Sequence, residues 1–437
     1  MRYAKDLVLR VETDVLVVGG GPAGCAAAVA AARSGAGVYL VEASACFGGL
    51  GTAGLVPAFM QFGDGANFCA GALGREFLER MLRYDGGVAD HTGGYSIRAE
   101  SLKRAYDDMI GESGSGFAFH TSLIDAVAEG GEIRYCVLSG KSGVYAARAK
   151  VYVDATGDGD LAFWSGAPCE KGDADGNMMA GTLCSLWEGI DWARAGGRQD
   201  GERLEDAIRD GVFERPDRHL PGMWRITDRV GGGNIGHAYG VDGTDERSLT
   251  EALVYGRRLI DRYERYYKEY LTGFENMELV ATGSLMGIRE TRRVMGEYVL
   301  TLRDFIDRAS FGDEIGRYCY PVDIHASDDS VEGYEKFHRE HDGYRYGRGE
   351  SYGIPYRILV PRGVRNLLVA GRCVSTDRAM QSSIRVMPGC YLTGQAAGVA
   401  AAQCALGGIE PSRADVRSIQ RTLKSMGLYL PNYTESP

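Results

Sequence analysis

Apolar and polar positions near the start of the chain predict a β-strand, a turn, a helix and a second β-strand. Residues 14–18 form an apolar, β-branched run that suits a buried strand. Residues 26–32 are small and can pack closely on a sheet as a helix, and the apolar run at 38–41 ends at an acid, Glu42. A strand, a helix and a strand in this order predict an α/β protein with a parallel, Rossmann-like sheet.

Later segments predict a hairpin, further helices and a return to strands near the end of the chain. Strands at both ends predict one discontinuous domain, residues 1–165 and 350–437, with an inserted α+β domain at 166–349 that faces the substrate. Ser248 and Glu251 form a potential capping box at the start of a long helix. We expect helices at 101–111, 248–270 and after Pro388, strands at 116–120, 132–139, 144–155, 356–361 and 366–372, and a turn at GGGNIG, residues 231–236.

Three glycines separate the first strand from the first helix. Gly19 permits a tight turn, Gly21 lets the backbone approach a pyrophosphate, and Gly24 lets the helix pack close to the sheet. The phosphates then lie at the positive end of the helix. Glu42, 18 residues after Gly24, can accept a hydrogen bond from a ribose hydroxyl and disfavours the extra phosphate of NADP. The pattern predicts a site for an ADP-containing dinucleotide.

Composition narrows the range of partners. The chain has 59 acidic and 49 basic residues, a net charge of −10, which repels nucleic acid. Its ten cysteines include no CxxC pair, so we expect reduced thiols and no metal site. No signal-peptide pattern and no run of 18 apolar residues occurs. We therefore expect a cytoplasmic protein without a membrane span that acts on a small molecule and could form a homo-oligomer.

The cofactor is expected to be FAD rather than NAD, because three later segments offer contacts for a flavin. They are ASACFGGLGTAG after Glu42, DATGDGD at 154–160, and Gly371 with the helix after Pro388. Proline suits a first helical turn, so the amides from Gly389 to Leu392 are expected to point toward the flavin. The residues expected to contact FAD are Gly19, Gly21, Pro22, Ala23, Gly24, Glu42, Ala43, Gly48, Gly49, Leu50, Thr52, Ala155, Thr156, Gly157, Gly371, Arg372, Gly389 and Leu392.

Together these motifs resemble the glutathione-reductase-type FAD fold. The chain is most similar to the FAD-dependent oxidoreductase family related to succinate dehydrogenase and fumarate reductase flavoproteins, with matches also in GIRETRR at 287–293, PVDIH at 321–325 and SIRVMP at 383–388. This resemblance implies that the backbone of Leu123 meets the adenine. It implies no substrate, since the histidine and paired arginines of fumarate reductases and the redox cysteines of disulfide reductases have no counterpart here.

Four side chains are candidates for catalysis. A flavin supplies the hydride chemistry, and the protein must orient the substrate, move protons and stabilise charge. His237 and His325 are candidate general bases, since a neutral imidazole accepts a proton near pH 7; ordinary core or surface roles are the alternative. Arg289 and Arg385 are candidates for holding a substrate carboxylate. If GIRETRR is helical, its arginines share one face, and an internal salt-bridge network is their alternative role.

The sequence predicts an FAD-dependent oxidoreductase that transfers a hydride between a small polar metabolite and non-covalently bound FAD. Dehydrogenation of an alcohol or amine and reduction of an activated double bond both fit this prediction. One alternative is an oxygen-using oxidase or hydroxylase. Another is a flavin-carrying electron-transfer subunit with no substrate site of its own, which would have a narrow cleft and a flat, exposed apolar patch. A closed pocket with several polar side chains favours the enzyme.

Overall fold

The structure is a computed structural model that describes residues 4, 6–85, 87–90, 93–195, 201–215, 217–218, 222–330, 335 and 343–434. Strands β1 to β17 are Leu9–Val18, Val38–Val41, Ala58–Phe59, Tyr95–Ser96, Gly116–Ala118, Ser122–Glu129, Glu132–Gly140, Gly143–Asp154, Cys169–Lys171, Ser185–Glu188, Gly222–Arg225, Val230–Asn234, Glu278–Thr282, Arg292–Val294, Glu314–Tyr318, Tyr352–Pro355 and Leu367–Val369. Helices α1 to α10 are Pro22–Arg33, Leu73–Arg83, Ala99–Ser113, Asp160–Trp164, Gly201–Arg209, Glu246–Tyr270, Leu302–Ile306, Arg378–Ile384, Met387–Gly407 and Val416–Ser425.

A seven-stranded sheet organises the first core. Its order is β5-β2-β1-β8-β7-β6, and β17 also pairs with β8. The strands β5, β2, β1, β8 and β17 run parallel, whereas β6, β7 and β8 pair antiparallel. Val15, Leu16 and Val17 of β1 are fully buried, because both faces of the parallel part are covered. The predicted α/β class with a Rossmann-like parallel core is confirmed.

Helices from opposite ends of the chain meet on this sheet. A Cβ atom on Gly394 of α9 would lie 2.2 Å from the carbonyl oxygen of Ala23, and one on Gly398 would lie 2.2 Å from that of Ala27. Glycines four residues apart share one helix face, so α9 can press its backbone against α1. The two ends of the chain therefore pack in one core.

A second core contains a four-stranded antiparallel sheet, β11-β12-β10-β13, and the long helix α6. Tyr263, Tyr266 and Tyr267 of α6 are fully buried in it. The helix begins at Glu246, and its N-cap is Asp245, whose carboxylate accepts from two backbone amides. The predicted capping box at Ser248 and Glu251 is therefore wrong, because Ser248 already lies inside the first helical turn.

The GGGNIG sequence is mostly a strand, not the turn that its glycines predict. Residues 230–234 form β12, between β11 and β10. A Cβ atom on Gly233 would lie 2.8 Å from the Ser185 Oγ and 3.0 Å from the Trp187 Nε1. The glycines leave room for side chains packed across the sheet rather than for a chain reversal.

Two other local predictions are also wrong. The GIRETRR sequence is not helical: its last arginines begin β14, which pairs with β9. Residues 356–359 form a 3₁₀ turn after β16 rather than a strand. Pairing of β14 with β9 and of β16 with β15 sets the conformation in these two places. The local sequence does not encode such pairing.

The second core is built from residues between Leu183 and Ile288. Phe305, Ile315 and Tyr318 pack instead in the first core, although they lie within residues 166–349. The predicted division of the chain into one domain of residues 1–165 and 350–437 and another of residues 166–349 stays a prediction. Within the described ranges, no helix combines the length and apolarity needed to cross a membrane.

Candidate active site

The turn between β1 and α1 contains the three glycines that are predicted to bind phosphate. Gly19 has φ +98°, and a Cβ atom there would lie 2.5 Å from the carbonyl oxygen of Ala155. A Cβ atom on Gly24 would lie 1.8 Å from the carbonyl oxygen of Gly19, so the helix can start this close to the turn only with glycine. Nothing lies within 4 Å of the position of a Cβ on Gly21. That open side is where a pyrophosphate can approach the backbone.

The start of α1 supplies hydrogen-bond donors to that open side. Gly21 is the N-cap and Pro22 follows it, while the Cys25 amide donates to the carbonyl of Gly21. The amides of Ala23 and Gly24 precede this first helical bond and so have no carbonyl of the helix to pair with. Free amides at a helix N-terminus suit the phosphates of FAD. The residues present fit this half of the cofactor.

Glu42 directly follows β2, beside the turn between β1 and α1. One carboxylate oxygen accepts from the Gly20 amide and the other from the Ser44 amide, both at 2.7 Å. Each oxygen can accept a further hydrogen bond, so the predicted contact with a ribose hydroxyl is still open to this fixed carboxylate. Ala43 lies in the same turn, and the Thr121 amide donates to the Glu42 carbonyl, which brings the start of β6 with Leu123 to the same side.

The segment after Glu42 returns to the phosphate turn. The Gly48 amide donates to the Gly20 carbonyl at 2.8 Å, and a Cβ atom on Gly49 would lie 3.4 Å from the Cα of Gly21. Thr52 is fully buried, and its hydroxyl donates to the Phe47 carbonyl at 2.6 Å. Thr52 thus holds the shape of this loop, while the glycines keep the approach to the cofactor open.

The DATGDGD loop lies against the turn between β1 and α1, and hydrogen bonds from neighbouring segments fix its position. The Ala155 amide donates to the Val18 carbonyl, and the Thr156 hydroxyl donates to the Asp154 carboxylate at 2.7 Å. Burial raises the pKa of Asp154 to about 6. Arg372 donates to the Gly157 carbonyl at 3.0 Å and pairs with Asp158 at 2.5 Å. Arg372 therefore fixes this loop from the side of β17.

The N-terminus of α9 differs from its prediction in one respect. The helix begins at Met387, and the Cys390 amide already donates to the Val386 carbonyl. Only the amides of Met387 and Gly389 precede that bond. The prediction of free amides from Gly389 to Leu392 is therefore wrong, since Leu392 lies one turn into the helix. Gly371 approaches α1 closely, since a Cβ atom there would lie 2.9 Å from that of Ala23.

A cavity of about 270 Å³, here called the substrate cavity, lies between the two cores. The end of the first core and the second sheet both contribute to its wall. Arg289, His325 and Arg385 are three of the four side chains predicted for catalysis, and all three line it. The other lining residues are Leu50, Val56, Ala58, Met60, Thr182, Cys184, Trp224, Asn234, Gly287, Ile288, Tyr320, Asp323, Val386 and Met387.

His237 lies behind the wall and connects to the cavity through His325. The Nε2 atom of His237 is 3.0 Å from the Nδ1 atom of His325. Its Nδ1 atom is 3.1 Å from a carboxylate oxygen of Asp217, and all three side chains are buried. Burial, followed by the charge of Arg289, lowers the pKa of His325 well below its usual value, so this imidazole is neutral near pH 7.

Arg289 is buried in the wall of the cavity. It donates to the Ala180 carbonyl at 2.7 Å, to the Thr182 hydroxyl at 2.9 Å and to the Asn234 side chain at 3.2 Å. No carboxylate in the described part of the chain lies within ion-pair distance of it. Burial, followed by Arg385, lowers its pKa to about 10, which leaves it charged near pH 7.

The other two arginines of GIRETRR serve structure. Arg293 pairs with the fully buried Glu290 at 2.8 Å, and Arg292 pairs with Asp160 at 2.7 Å. The internal salt-bridge role therefore applies to these two and not to Arg289. Arg292 and Arg293 reach different partners because neighbouring residues of a strand point in opposite directions.

Arg385 is neutralised inside the cavity by Asp323. Its guanidinium donates to the Asp323 carbonyl at 3.0 Å and to the carboxylate at 3.2 Å, and Tyr320 donates to the same carboxylate at 3.1 Å. Burial opposes ionisation of Asp323, but His325 and the guanidinium groups of Arg385 and Arg289 outweigh it and lower the pKa. The cavity therefore contains Arg385, which forms an ion pair with a carboxylate, and Arg289, which forms none with the described residues.

Sequence reasoning missed the two acids of this site. Asp323 lies two residues before His325 in PVDIH, a spacing that in an extended segment places both side chains on one side. Asp217 has no such signal, because it precedes His237 by twenty residues and meets it only through the fold. Among the described residues, no group of three or more His, Cys, Asp and Glu side chains is placed to hold a metal ion.

The thiols are those expected of a reduced protein. All ten cysteines are free, and only Cys46 and Cys169 are partly exposed. Cys184 lines the substrate cavity, and burial raises the pKa of its thiol to about 12. A thiol that holds its proton this firmly is not a nucleophile near neutral pH.

Comparison with known proteins identifies the family. A model of the family described as FAD dependent oxidoreductase matches residues 14–423. No curated protein matches the chain.

Solved structures give more distant likenesses. A geranylgeranyl bacteriochlorophyll reductase-like protein of Thermoplasma acidophilum is 12% identical, with 95% of this chain and 82% of that chain covered and a TM-score of 0.45. The flavin-dependent brominase Bmp2 is 11% identical, with 95% and 83% covered and a TM-score of 0.46. The p-nitrophenol 4-monooxygenase PnpA of Pseudomonas putida is 13% identical, with 66% and 70% covered and a TM-score of 0.42. Likenesses of this size carry no information about the substrate.

Proposed function

This chain belongs to the FAD dependent oxidoreductase family, and from that premise we propose that it transfers a hydride between FAD and a small anionic metabolite. It is an enzyme with FAD as its cofactor. In the proposed reaction the metabolite is bound in the substrate cavity, and the FAD is held without a covalent link.

One observation carries this proposal. The substrate cavity combines an uncompensated guanidinium, Arg289, with a neutral imidazole, His325, in a wall that is otherwise largely apolar. A flavin supplies the hydride chemistry and leaves the protein to orient the substrate and move protons, and an anion site and a proton acceptor can perform these two tasks. An electron carrier needs neither of them in a substrate cavity.

The tautomers of the two histidines follow from their neighbours. Tyr239 and Tyr263 both donate to Asp217, which suits an ionised carboxylate. Asp217 then accepts the Nδ1 proton of His237, whose Nε2 atom accepts the Nδ1 proton of His325. This leaves the lone pair of His325 on Nε2. That atom lies 3.6 Å from the carboxylate of Asp323 in the wall of the substrate cavity.

His325 can therefore accept a proton from the substrate at Nε2. In dehydrogenation of an alcohol or amine, it takes the O–H or N–H proton while the hydride leaves from carbon. The ionised Asp323 beside it stabilises the imidazolium that results. In the reverse reaction, reduction of the resulting carbonyl or imine, the same atom returns the proton. In reduction of an activated double bond, it can donate a proton in the same way. General acid–base help of this kind is worth about 10²–10⁴ in rate.

Arg289 is proposed to bind the anionic group of the substrate. Its contacts with Ala180, Thr182 and Asn234 fix the orientation of the guanidinium without cancelling its charge. A carboxylate in this dry wall would form charge-assisted hydrogen bonds, which are about twice as strong as neutral ones. Bound FAD supplies the acceptor or donor of the hydride. Leu50, Val56 and Met387 exclude water from the same space.

The test is anaerobic reduction of the purified yellow holoenzyme by a panel of small metabolites. The panel pairs each hydroxy or amino carboxylate with its amide or methyl ester, which has the same reacting carbon and no anion. We expect the visible flavin band to bleach with at least one acid and much more slowly with its neutral partner. Heat denaturation should release free FAD, as its mass shows.

Three outcomes would contradict the proposal. Bleaching by NADH or NADPH alone, followed by oxygen uptake and a hydroxylated product, would identify the hydroxylase alternative. Equal reduction by acids and their neutral partners would remove the anion site. A protein that accepts electrons only from another protein would be a carrier, with the substrate cavity unused.

A further inference from the structure

A second cavity lies on the outer side of the pair of histidines. It measures about 140 Å³ and is here called the outer cavity. Arg215 and Glu251 on its rim are exposed, so solvent reaches it. The remaining lining residues are Ala238, Tyr239, Gly240, Val241, Ser248, Ala252 and Tyr255.

Tyr239 connects this outer cavity to the buried acid. Its ring lines the outer cavity, and its hydroxyl donates to Asp217 at 3.2 Å. The same carboxylate contacts the Nδ1 atom of His237, whose Nε2 atom contacts His325 in the wall of the substrate cavity. The hydrogen-bonding atoms of neighbouring side chains, from Tyr239 to Asp217, His237 and His325, are 3.0–3.2 Å apart.

We propose that Tyr239, Asp217, His237 and His325 form a proton relay between the substrate cavity and solvent in the outer cavity. The direction of net transfer rests on the proposed function, whereas the connection itself does not. In dehydrogenation, one substrate proton enters at the Nε2 atom of His325. The Nδ1 proton of His325 moves to the Nε2 atom of His237, and the Nδ1 proton of His237 moves to Asp217. Asp217 passes a proton to the oxygen of Tyr239 as the Tyr239 hydroxyl proton moves to outer water. One proton enters and one leaves, so the charges balance.

The relay meets a need that the substrate cavity creates. A proton deposited on buried His325 in a largely apolar wall has to leave before the next turnover, and apolar side chains do not carry it. His325 and His237 each have two ring nitrogens and can accept a proton at one while releasing it at the other. A hydroxyl both donates and accepts, so Tyr239 can complete the path.

Tyr263 provides a matched control. Its hydroxyl also donates to Asp217, at 3.3 Å, but its side chain is fully buried in the second core and does not line the outer cavity. Replacing either tyrosine by phenylalanine removes one hydrogen bond to the same carboxylate. Of these two tyrosines, Tyr239 alone lines the outer cavity.

The first experiment needs no substrate. The holoenzyme is labelled with ¹⁵N-histidine, and the exchange of the imidazole N–H protons of His237 and His325 with water is measured by NMR. We expect Tyr239→Phe to slow this exchange by at least about tenfold, because the hydroxyl that connects Asp217 to the outer cavity is lost. Tyr263→Phe should stay within about twofold of the unmodified protein. Equal exchange in both variants would overturn the relay.

The second experiment uses the donor found in the panel. Flavin bleaching and proton release to a dye in weak buffer are followed together after rapid mixing. In Tyr239→Phe, proton release should lag behind bleaching by about tenfold or more, while in Tyr263→Phe the two should coincide. Simultaneous release in Tyr239→Phe would overturn the relay. If no anionic donor reduces the flavin, the proposed function fails, and the NMR exchange still decides the relay.

Discussion

The phosphate turn and the substrate cavity are built on different principles. The phosphate turn uses backbone: Gly19, Gly21 and Gly24 act through the side chains that they lack, within one stretch of six residues. The substrate cavity uses side chains that arrive from both cores, with Arg289, His325 and Arg385 far apart in the sequence. A backbone site tolerates almost no change in residue size, whereas a side-chain site loses its functions one at a time.

The largest expected effect is on the backbone site. Gly21→Val places a branched side chain in the open space where the pyrophosphate must approach, so we expect the purified variant to be colourless. The measurement is the flavin absorbance per protein. Gly111→Val is the control, since Gly111 is exposed on α3 and nothing lies within 4 Å of its Cβ position. Full FAD content in Gly21→Val would show that the cofactor lies elsewhere.

The next largest effect is on proton transfer in the substrate cavity. His325→Gln keeps a polar side chain but removes the proton acceptor, so flavin reduction by the donor should slow by at least about 10²-fold. His237→Gln should slow it less, because His237 acts only through His325. Rapid-mixing absorbance measures both rates, and unchanged FAD content shows that the fold is intact. A rate within twofold of the unmodified enzyme would remove His325 from the mechanism.

A smaller effect is expected on binding of the anion. Arg289→Met should raise the KM for the donor by roughly 10-fold to 10²-fold, the equivalent of about 1.5–3 kcal/mol for a hydrogen bond to a charged group. The same substitution should change the KM for a neutral ester of that donor only slightly. The matched control is Arg303→Met, a side chain that is 77% exposed. If acid and ester respond equally to Arg289→Met, the arginine only supports the wall.

The smallest effect concerns stability and pH. Because the pKa of His325 is lowered in the folded protein, the unfolded chain binds a proton more readily below about pH 6.5. Stability should therefore fall between pH 7.5 and pH 5.5, by an amount on the order of 1 kcal/mol from this group. His325→Gln should make the fall in Tm shallower. Asp154, with a pKa raised to about 6, affects both proteins alike and cancels in the comparison.

Burial decides the direction of this pH effect. A histidine that gained a carboxylate partner at hydrogen-bond distance would have a raised pKa and would stabilise the fold at low pH instead. Burial and the nearby Arg289 outweigh the effect of Asp323 on the pKa of His325 and place this histidine in the opposite class. A Tm that rises on acidification in the unmodified protein, but not in His325→Gln, would contradict the assignment.

The sequence alone determined the parts whose chemistry is local. The order of β1, α1 and β2, the glycine turn, the closing Glu42 and the hairpin of β7 and β8 were all predicted, because turn geometry and apolar periodicity act over a few residues. The choice of His325 rested on the small number of histidines and on the family resemblance of PVDIH, and the choice of Arg289 rested on the arginines of GIRETRR. FAD and the family followed from motifs spread over nearly the whole chain.

Only the tertiary structure decided how those side chains are used. It showed that residues 230–234 form a strand, that Arg292 and Arg293 are paired while Arg289 is not, and that Arg385 is compensated by Asp323. It also brought Asp217 to His237. Pairing, burial and compensation are relations between distant segments, and the long-range packing that creates them leaves no periodic mark on either segment.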